Sequence, residues 1–137
     1  MKKRIVVVSV ISMVVVVLIL KIVNGIILVN TSREIVFSTY ENYGVLPSGY
    51  SQVVSDEIFE QIGFRNKTDK EINEICKIEK FFAVVGFTKS MVTYEYTYFP
   101  TDKEIGKSLG GSKEIPCILY YELIDGNWKI VDYYEAP

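Results

Sequence analysis

The sequence predicts an α+β protein, with an N-terminal transmembrane helix and then short helices packed on a curved antiparallel sheet of about four strands. Three observations support this fold class. Residues 5–20 form an apolar run without a charge, and residues 31–80 carry three helix-capping patterns. From residue 81 onward the apolar side chains recur at every second position, which is typical of strands with one buried face.

The N-terminal segment has the length of a membrane span. An α-helix needs about 20 apolar residues to cross about 30 Å of hydrocarbon. Residues 5–20 supply the first part, and a second apolar stretch follows Lys21 and reaches Val29. We therefore predict a transmembrane anchor in residues 5–29 that contacts the lipid bilayer. A cleaved signal peptide ending near VNG at residues 23–25 is the alternative that the sequence leaves open.

The charges before the anchor predict its orientation. Lys2, Lys3 and Arg4 precede the apolar run, and basic residues beside a span are retained in the cytoplasm. Residues 1–4 are thus predicted to be a cytoplasmic tail, and residues 30–137 an extracytoplasmic α+β domain. The expected location is the cell membrane, with a single pass.

The predicted outer domain is acidic. From residue 30 onward it contains 11 basic and 17 acidic residues, a net charge of 11 − 17 = −6. This sign excludes nucleic acid as a partner, because phosphate neutralisation supplies much of that affinity. The partners that remain are the bilayer, through residues 5–29, and an envelope protein or a small apolar ligand.

Three short helices are predicted after the anchor, each beginning at a Ser or Thr that suits an N-cap. In the first and third, a Glu three residues later completes a capping box. The predicted helices are 31–44, 55–63 and 68–80, with the N-caps Thr31, Ser55 and Thr68.

Four strands follow the helices. The strand between residues 91 and 99 alternates tyrosines with threonines and glutamate, so that one face is aromatic. Asp125-Gly126 predicts a two-residue hairpin turn near the C-terminus. The predicted strands are FFAVVGFT, MVTYEYTYF, IPCILYYELI and NWKIVDYY, with a long polar loop before the third.

The hairpin turn predicts a register. Glu122 then faces Lys129, and Leu119 faces Asp132 on the apolar side that also holds Trp128. A carboxylate on that side must be hydrogen-bonded, shifted in pKa, or placed at the mouth of a pocket. Asp132 is therefore a candidate ligand-binding residue, or an aspartate bonded to a tyrosine hydroxyl.

Tyrosines supply the other candidates for a binding surface. Tyrosine is amphipathic and is favoured at contacts, although it is also an ordinary strand residue. The predicted ligand-binding set comprises Tyr94, Tyr96, Tyr121, Trp128 and Asp132.

Catalytic and metal motifs are sparse. The chain has no histidine, which excludes Ser-His-Asp and Cys-His triads and His-based metal sites. We predict no catalytic residue, no metal and no cofactor. Cys76 and Cys117 are a possible disulfide in an exported domain, or else two buried apolar residues.

Two stretches resemble a known family. YENYGVLPSGYSQVVSDEIFEQI and LIDGNWKIVDY resemble the helix, turn and helix and the last hairpin of nuclear-transport-factor-2-like proteins, the ketosteroid isomerase superfamily. The resemblance covers roughly residues 31–135 and implies a cone fold in which the sheet and helices enclose a pocket. It also implies a kinship with membrane-anchored bacterial members. Family members use the pocket for catalysis, for ligand binding or for protein contacts.

These observations predict a membrane-anchored extracytoplasmic domain that is non-catalytic and binds a partner protein or a small apolar ligand at the cell surface. One alternative is an isomerase- or dehydratase-like enzyme with a pocket around Asp132. Another is a structural subunit of a cell-envelope assembly.

Overall fold

A computed structural model describes residues 2–41, 45–63, 72–102 and 110–137. Its four strands form one antiparallel sheet in the order β1-β2-β3-β4, and the α+β prediction is confirmed. The elements are α1 (Lys2–Glu41), α2 (Asp56–Ile62), β1 (Ile72–Val85), β2 (Lys89–Asp102), β3 (Ser112–Ile124) and β4 (Asn127–Glu135).

Helix α1 has two environments along one continuous rod. Its stretch Ile5–Thr39 is long and apolar enough to cross a membrane, and the large apolar side chains from Ile5 to Ile27 are exposed, except for the half-buried Val17. Farther along, Ile35 and Val36 are fully buried in the core. The predicted helix start at Thr31 is wrong, because α1 runs through this position without a break. The same helix therefore supplies both the candidate span and a core element.

Helix α2 forms as the capping pattern predicts. The Ser55 side chain accepts a hydrogen bond from the backbone N–H of Ile58, and Gly63 ends the helix. Phe59 and Ile62 are its buried residues.

Strand β1 replaces most of the helix predicted in residues 68–80. Residues 72–80 are extended and pair with β2, whereas residues 68–71 lie outside the described residues. The apolar residues of this stretch fit a helical stripe, but Cys76 and Ile78 also alternate, opposite Tyr98 and Tyr96. Pairing along β2 decides between the two patterns, because strand formation depends on neighbours more than on intrinsic propensity.

A β-bulge in β1 determines which of its side chains enter the core. The register with β2 shifts between Glu79 and Phe82, and Lys80 adopts a positive φ of 60°. One extra residue reverses the alternation of faces. As a result, Phe81 stacks on Tyr94 in the interior, with 5.3 Å between ring centroids, and Phe82 points outward.

The C-terminal hairpin has the predicted turn. Asp125 and Gly126 have φ angles of 51° and 78°, as a type I′ turn requires. The pairs Glu122–Lys129 and Leu123–Trp128 are confirmed.

A second bulge interrupts this hairpin between Tyr120 and Tyr121. Beyond it, Asp132 pairs with Tyr120 instead of Leu119, so the predicted Leu119–Asp132 pair is wrong.

The core lies between the inner face of the sheet and the two helices. Buried residues from α1, α2 and all but the first strand form one cluster. The sheet contributes Val92, Tyr94, Tyr96, Ile115, Cys117, Leu119, Tyr121 and Ile130.

Candidate functional site

Three of the predicted ligand-binding tyrosines are core residues. Tyr94, Tyr96 and Tyr121 point from the sheet into the interior and are almost completely buried. The hydroxyl of Tyr121 lies 2.7 Å from the hydroxyl of Ser32 on α1. Burial raises the pKa of Tyr121 above its ordinary value. Tyr121 thus joins the sheet to α1, and none of the three offers an open binding surface.

A second hydrogen-bonded group lies farther along the same face. Both oxygens of Glu135 are within reach of a tyrosine, at 2.7 Å from the hydroxyl of Tyr96 and 3.0 Å from that of Tyr133. The Tyr133 hydroxyl is also 3.4 Å from Sγ of Cys117. Burial is the main cause of a raised Tyr133 pKa. Polar groups in this part of the interior therefore satisfy one another, as buried polar groups must.

The two cysteines occupy strands that are not neighbours. Cys76 lies on β1 opposite Tyr98, and Cys117 lies on β3 opposite Tyr94, with β2 between them. Two strand spacings already amount to about 9.6 Å, which is greater than the Cα separation of about 7 Å that a disulfide allows. This strand order does not bring the pair within bonding distance.

Asp132 lies on the outer face of the sheet and is exposed. Its Oδ1 accepts a hydrogen bond of 2.8 Å from the backbone N–H of Tyr133. The prediction that it shares a face with Leu119 and Trp128 is wrong, because the bulge in the hairpin reverses its direction. With Tyr120, it borders a shallow groove of about 400 Å³.

The outer face around Asp132 is unusually apolar. Two adjacent rows of directly paired residues run across the four strands there. The first row includes Met91 and the second includes Thr93. In each row, residues that pair directly share a face. Phe82 is 64% exposed, Tyr134 48% and Tyr120 37%. We call this surface the outer patch, comprising Phe82, Val84, Met91, Ile118, Tyr120 and Tyr134.

An outer patch of this kind departs from the usual pattern of an antiparallel sheet. One face normally packs on the core and the other is polar toward water. Among the described elements, both helices pack on the opposite, inner face, where their buried residues lie. Large contiguous apolar surfaces are typical of interaction sites, so the outer patch is a candidate for one.

Sequence reasoning missed Phe82 and Val84 as candidate site residues. The signal was present, because FFAVV is apolar at consecutive positions and therefore on both faces of a strand. The bulge at Lys80, which turns Phe82 outward, has no comparable signal in the sequence.

Trp128 lines a separate cavity of about 850 Å³. Its walls come from α1, from the segment 49–55 and from β4. Asn24 and Ile27 belong to the α1 wall, so the cavity lies beside the end of the apolar helix surface. Of the five predicted ligand-binding residues, only Trp128 borders this cavity.

No group of three or more cysteine or acidic side chains that could hold a metal ion is found in residues 2–41, 45–63, 72–102 and 110–137. No family model matches the chain, and no curated protein is significantly similar to it.

Proposed function

We propose that this protein is a membrane-anchored, non-catalytic binding domain that uses the outer patch to contact a partner protein outside the cell membrane. The observation that carries the proposal is the exposure of Tyr120 and Tyr134 on the outer sheet face, with Phe82 exposed at its edge, where it also borders a groove beside α1. Aromatic residues in a desolvated patch supply much of the binding energy at protein interfaces.

The chemistry of the patch specifies the kind of partner. Asp132 stands in the row of Tyr120, so a carboxylate interrupts an otherwise apolar surface. The domain carries a net charge of −6, which favours a protein with a basic side chain over nucleic acid or an anionic lipid surface. We expect the partner to present an apolar surface with a lysine or arginine opposite Asp132.

The location is tested by a topology reporter. Lys2, Lys3 and Arg4 precede the apolar helix and favour a cytoplasmic N-terminus. A reporter fused after Pro137 that is active only when exported should be active. Activity of a cytoplasm-only reporter at the same position would contradict the proposed orientation.

The binding surface is tested by photo-crosslinking in cells. Benzoylphenylalanine replaces Phe82 or Tyr120 in the full chain, and Val45, an exposed apolar residue that belongs to no strand, is the control. We expect one discrete protein adduct from both patch positions and none from Val45. The charge reversal Asp132→Lys should weaken that adduct severalfold.

The other outcomes of this experiment contradict the proposal. Adducts of twice the chain mass would identify a second copy as the occupant. Adducts to lipid alone would assign the patch to the membrane surface. Equal yields from Val45 and from the patch would remove the outer patch as a specific site.

The cavity beside Trp128 favours a second candidate, the binding of a small apolar ligand. Trp128 is the single tryptophan of the chain and reports on its own cavity. Saturable changes in its fluorescence on addition of fatty acids or sterols would support this function if they are abolished by Thr31→Phe, which places a bulky side chain in the cavity wall. An unchanged emission spectrum across that panel would contradict it.

An enzyme centred on Asp132 receives less support. The residue lies on an open surface, whereas a general base of the isomerase kind works in an enclosed, apolar site. The resemblance to nuclear-transport-factor-2-like proteins stays a prediction, as does a role as a structural subunit of an envelope assembly.

A further inference from the structure

We propose that the turn between β1 and β2 inserts Phe87 into the bilayer beside α1, so that the domain contacts the membrane at a second point. This inference rests on the proposed membrane anchor and commits to lipid acyl chains as the occupant. Phe87 is 76% exposed. In water, a phenylalanine exposed at the tip of a turn gains no stabilisation from burial of its apolar ring.

The turn reaches the apolar surface of the helix. Val85 packs at the level of Gly25, with its Cγ2 3.5 Å from where a Cβ on that glycine would lie. Phe87 extends farther toward the N-terminal end of α1, where Nζ of Lys21 lies 4.5 Å from the centre of its ring. Phe87 also borders a groove of about 320 Å³ with Val14 and Leu18.

The length of the span places this contact within lipid. About 20 helical residues cover about 30 Å of hydrocarbon, so a span that begins at Ile5 ends near Asn24. Lys21 and the Phe87 ring beside it are then about 4.5 Å inside that boundary, at 1.5 Å per residue. Ile22 is exposed and apolar, as expected for a position inside that boundary.

Lys21 is compatible with this depth. A lysine near the end of a span extends its stem toward the headgroups and keeps its ammonium in the interface. Its position over the Phe87 ring adds a cation–π attraction.

The turn holds Phe87 in a fixed position. The N–H of Gly86 donates to the carbonyl of Lys89 at 3.0 Å, and a Cβ on Gly86 would come within 2.1 Å of that oxygen. The carbonyl of Thr88 accepts a bond of 2.8 Å from Leu123 on β3. Because the turn is tied to the sheet, its insertion would fix the orientation of the whole domain relative to the membrane.

Depth-dependent quenching of tryptophan tests the inference on the full chain. In a Trp128→Phe background, single tryptophans are placed by Phe87→Trp, Val14→Trp and Tyr134→Trp. Each chain is reconstituted in phosphatidylcholine nanodiscs whose acyl chains carry bromine, either near the headgroup or near the bilayer centre. Circular dichroism verifies the fold, and Trp128→Tyr replaces the background if Trp128→Phe lowers stability.

We expect the Phe87→Trp chain to be quenched severalfold more than the Tyr134→Trp chain, and more by bromine near the headgroup than by bromine at the centre. Equal quenching at the two positions would overturn the insertion of the turn. Val14→Trp separates this failure from a failure of the anchor itself. If the tryptophan at position 14 is not quenched, the helix does not span the bilayer and the proposed function fails with the inference.

Discussion

The hydroxyl groups of Ser32 and Tyr121 lie 2.7 Å apart in the core, where they join the apolar N-terminal helix to the third strand of the sheet. Both side chains are buried. Ser32 is only four residues beyond Leu28, the first buried apolar residue of α1. This polar contact therefore joins the sheet to α1 at the point where the exposed, apolar part of the helix ends and its buried part begins.

Removing one partner of this pair should cost more than removing both. Ser32→Ala leaves the Tyr121 hydroxyl buried without this partner, and we expect a loss of about 1–3 kcal/mol in the free energy of unfolding. In the Ser32→Ala/Tyr121→Phe double variant the loss should be smaller, because no stranded hydroxyl remains. Chemical denaturation of the four chains in one detergent measures the coupling. Additive losses would show that the two hydroxyls do not interact.

The turn at Asp125-Gly126 predicts that two substitutions of Gly126 will differ in their effect on the free energy of unfolding. Gly126 has a φ of 78°, and a Cβ there would meet no atom within 4 Å, so only backbone strain opposes a larger side chain. Gly126→Val should lower the free energy of unfolding by about 1–3 kcal/mol. Gly126→Asn is the matched control and should lose less, since asparagine tolerates the left-handed region. Equal losses for the two variants would contradict the turn type.

Two tyrosines with raised pKa values, the buried Tyr121 and the half-buried Tyr133, predict sensitivity to alkali. Burial holds Tyr121 and Tyr133 in the neutral form, whereas both ionise near the ordinary tyrosine value of 10.0 once unfolded. Their contribution to stability is thus complete below pH 10 and is lost as the pH rises above it. The slope is about 1.4 kcal/mol per pH unit for each tyrosine that ionises only on unfolding.

Denaturation series at increasing pH measure this slope. Tyr133→Phe should make the decline in the free energy of unfolding above pH 10 less steep, by the contribution of one ionising tyrosine. The Gly126→Asn chain keeps every tyrosine and should keep the wild-type slope, whatever its stability at neutral pH. A Tyr133→Phe chain with the wild-type slope would show that this hydroxyl is accessible to solvent in the folded state.

Much of the fold could be predicted because its signals are local. The apolar N-terminal run, the Ser55 cap and the Asp125-Gly126 turn each depend on a few adjacent residues, and each is found in the structure. The helix prediction for residues 72–80 failed because this stretch is extended by pairing with β2, which is distant in sequence.

The candidate site was less predictable because two bulges decide it. One extra residue near Lys80 turns Phe82 outward, and another in the C-terminal hairpin turns Asp132 outward. Neither bulge is marked by a glycine or proline in the sequence. A single inserted residue exchanges the faces of every side chain beyond it, so a register extrapolated from the turn is correct only as far as Tyr121.

The exposed position of Asp132 predicts that its replacement leaves the fold intact. Its Oδ1 accepts a hydrogen bond from the adjacent backbone N–H of Tyr133, and water can take over that bond on an open surface. Asp132→Asn and Asp132→Leu should each change the free energy of unfolding by no more than about 0.5 kcal/mol. Ile130→Ala is the matched control on the same strand, and it should lose about 2–5 kcal/mol because Ile130 is buried. The free energies of unfolding of the three variants and the wild type are measured by denaturation. A loss in Asp132→Leu that approaches the loss in Ile130→Ala would show that Asp132 lies on the core face of the sheet and does not border the outer patch.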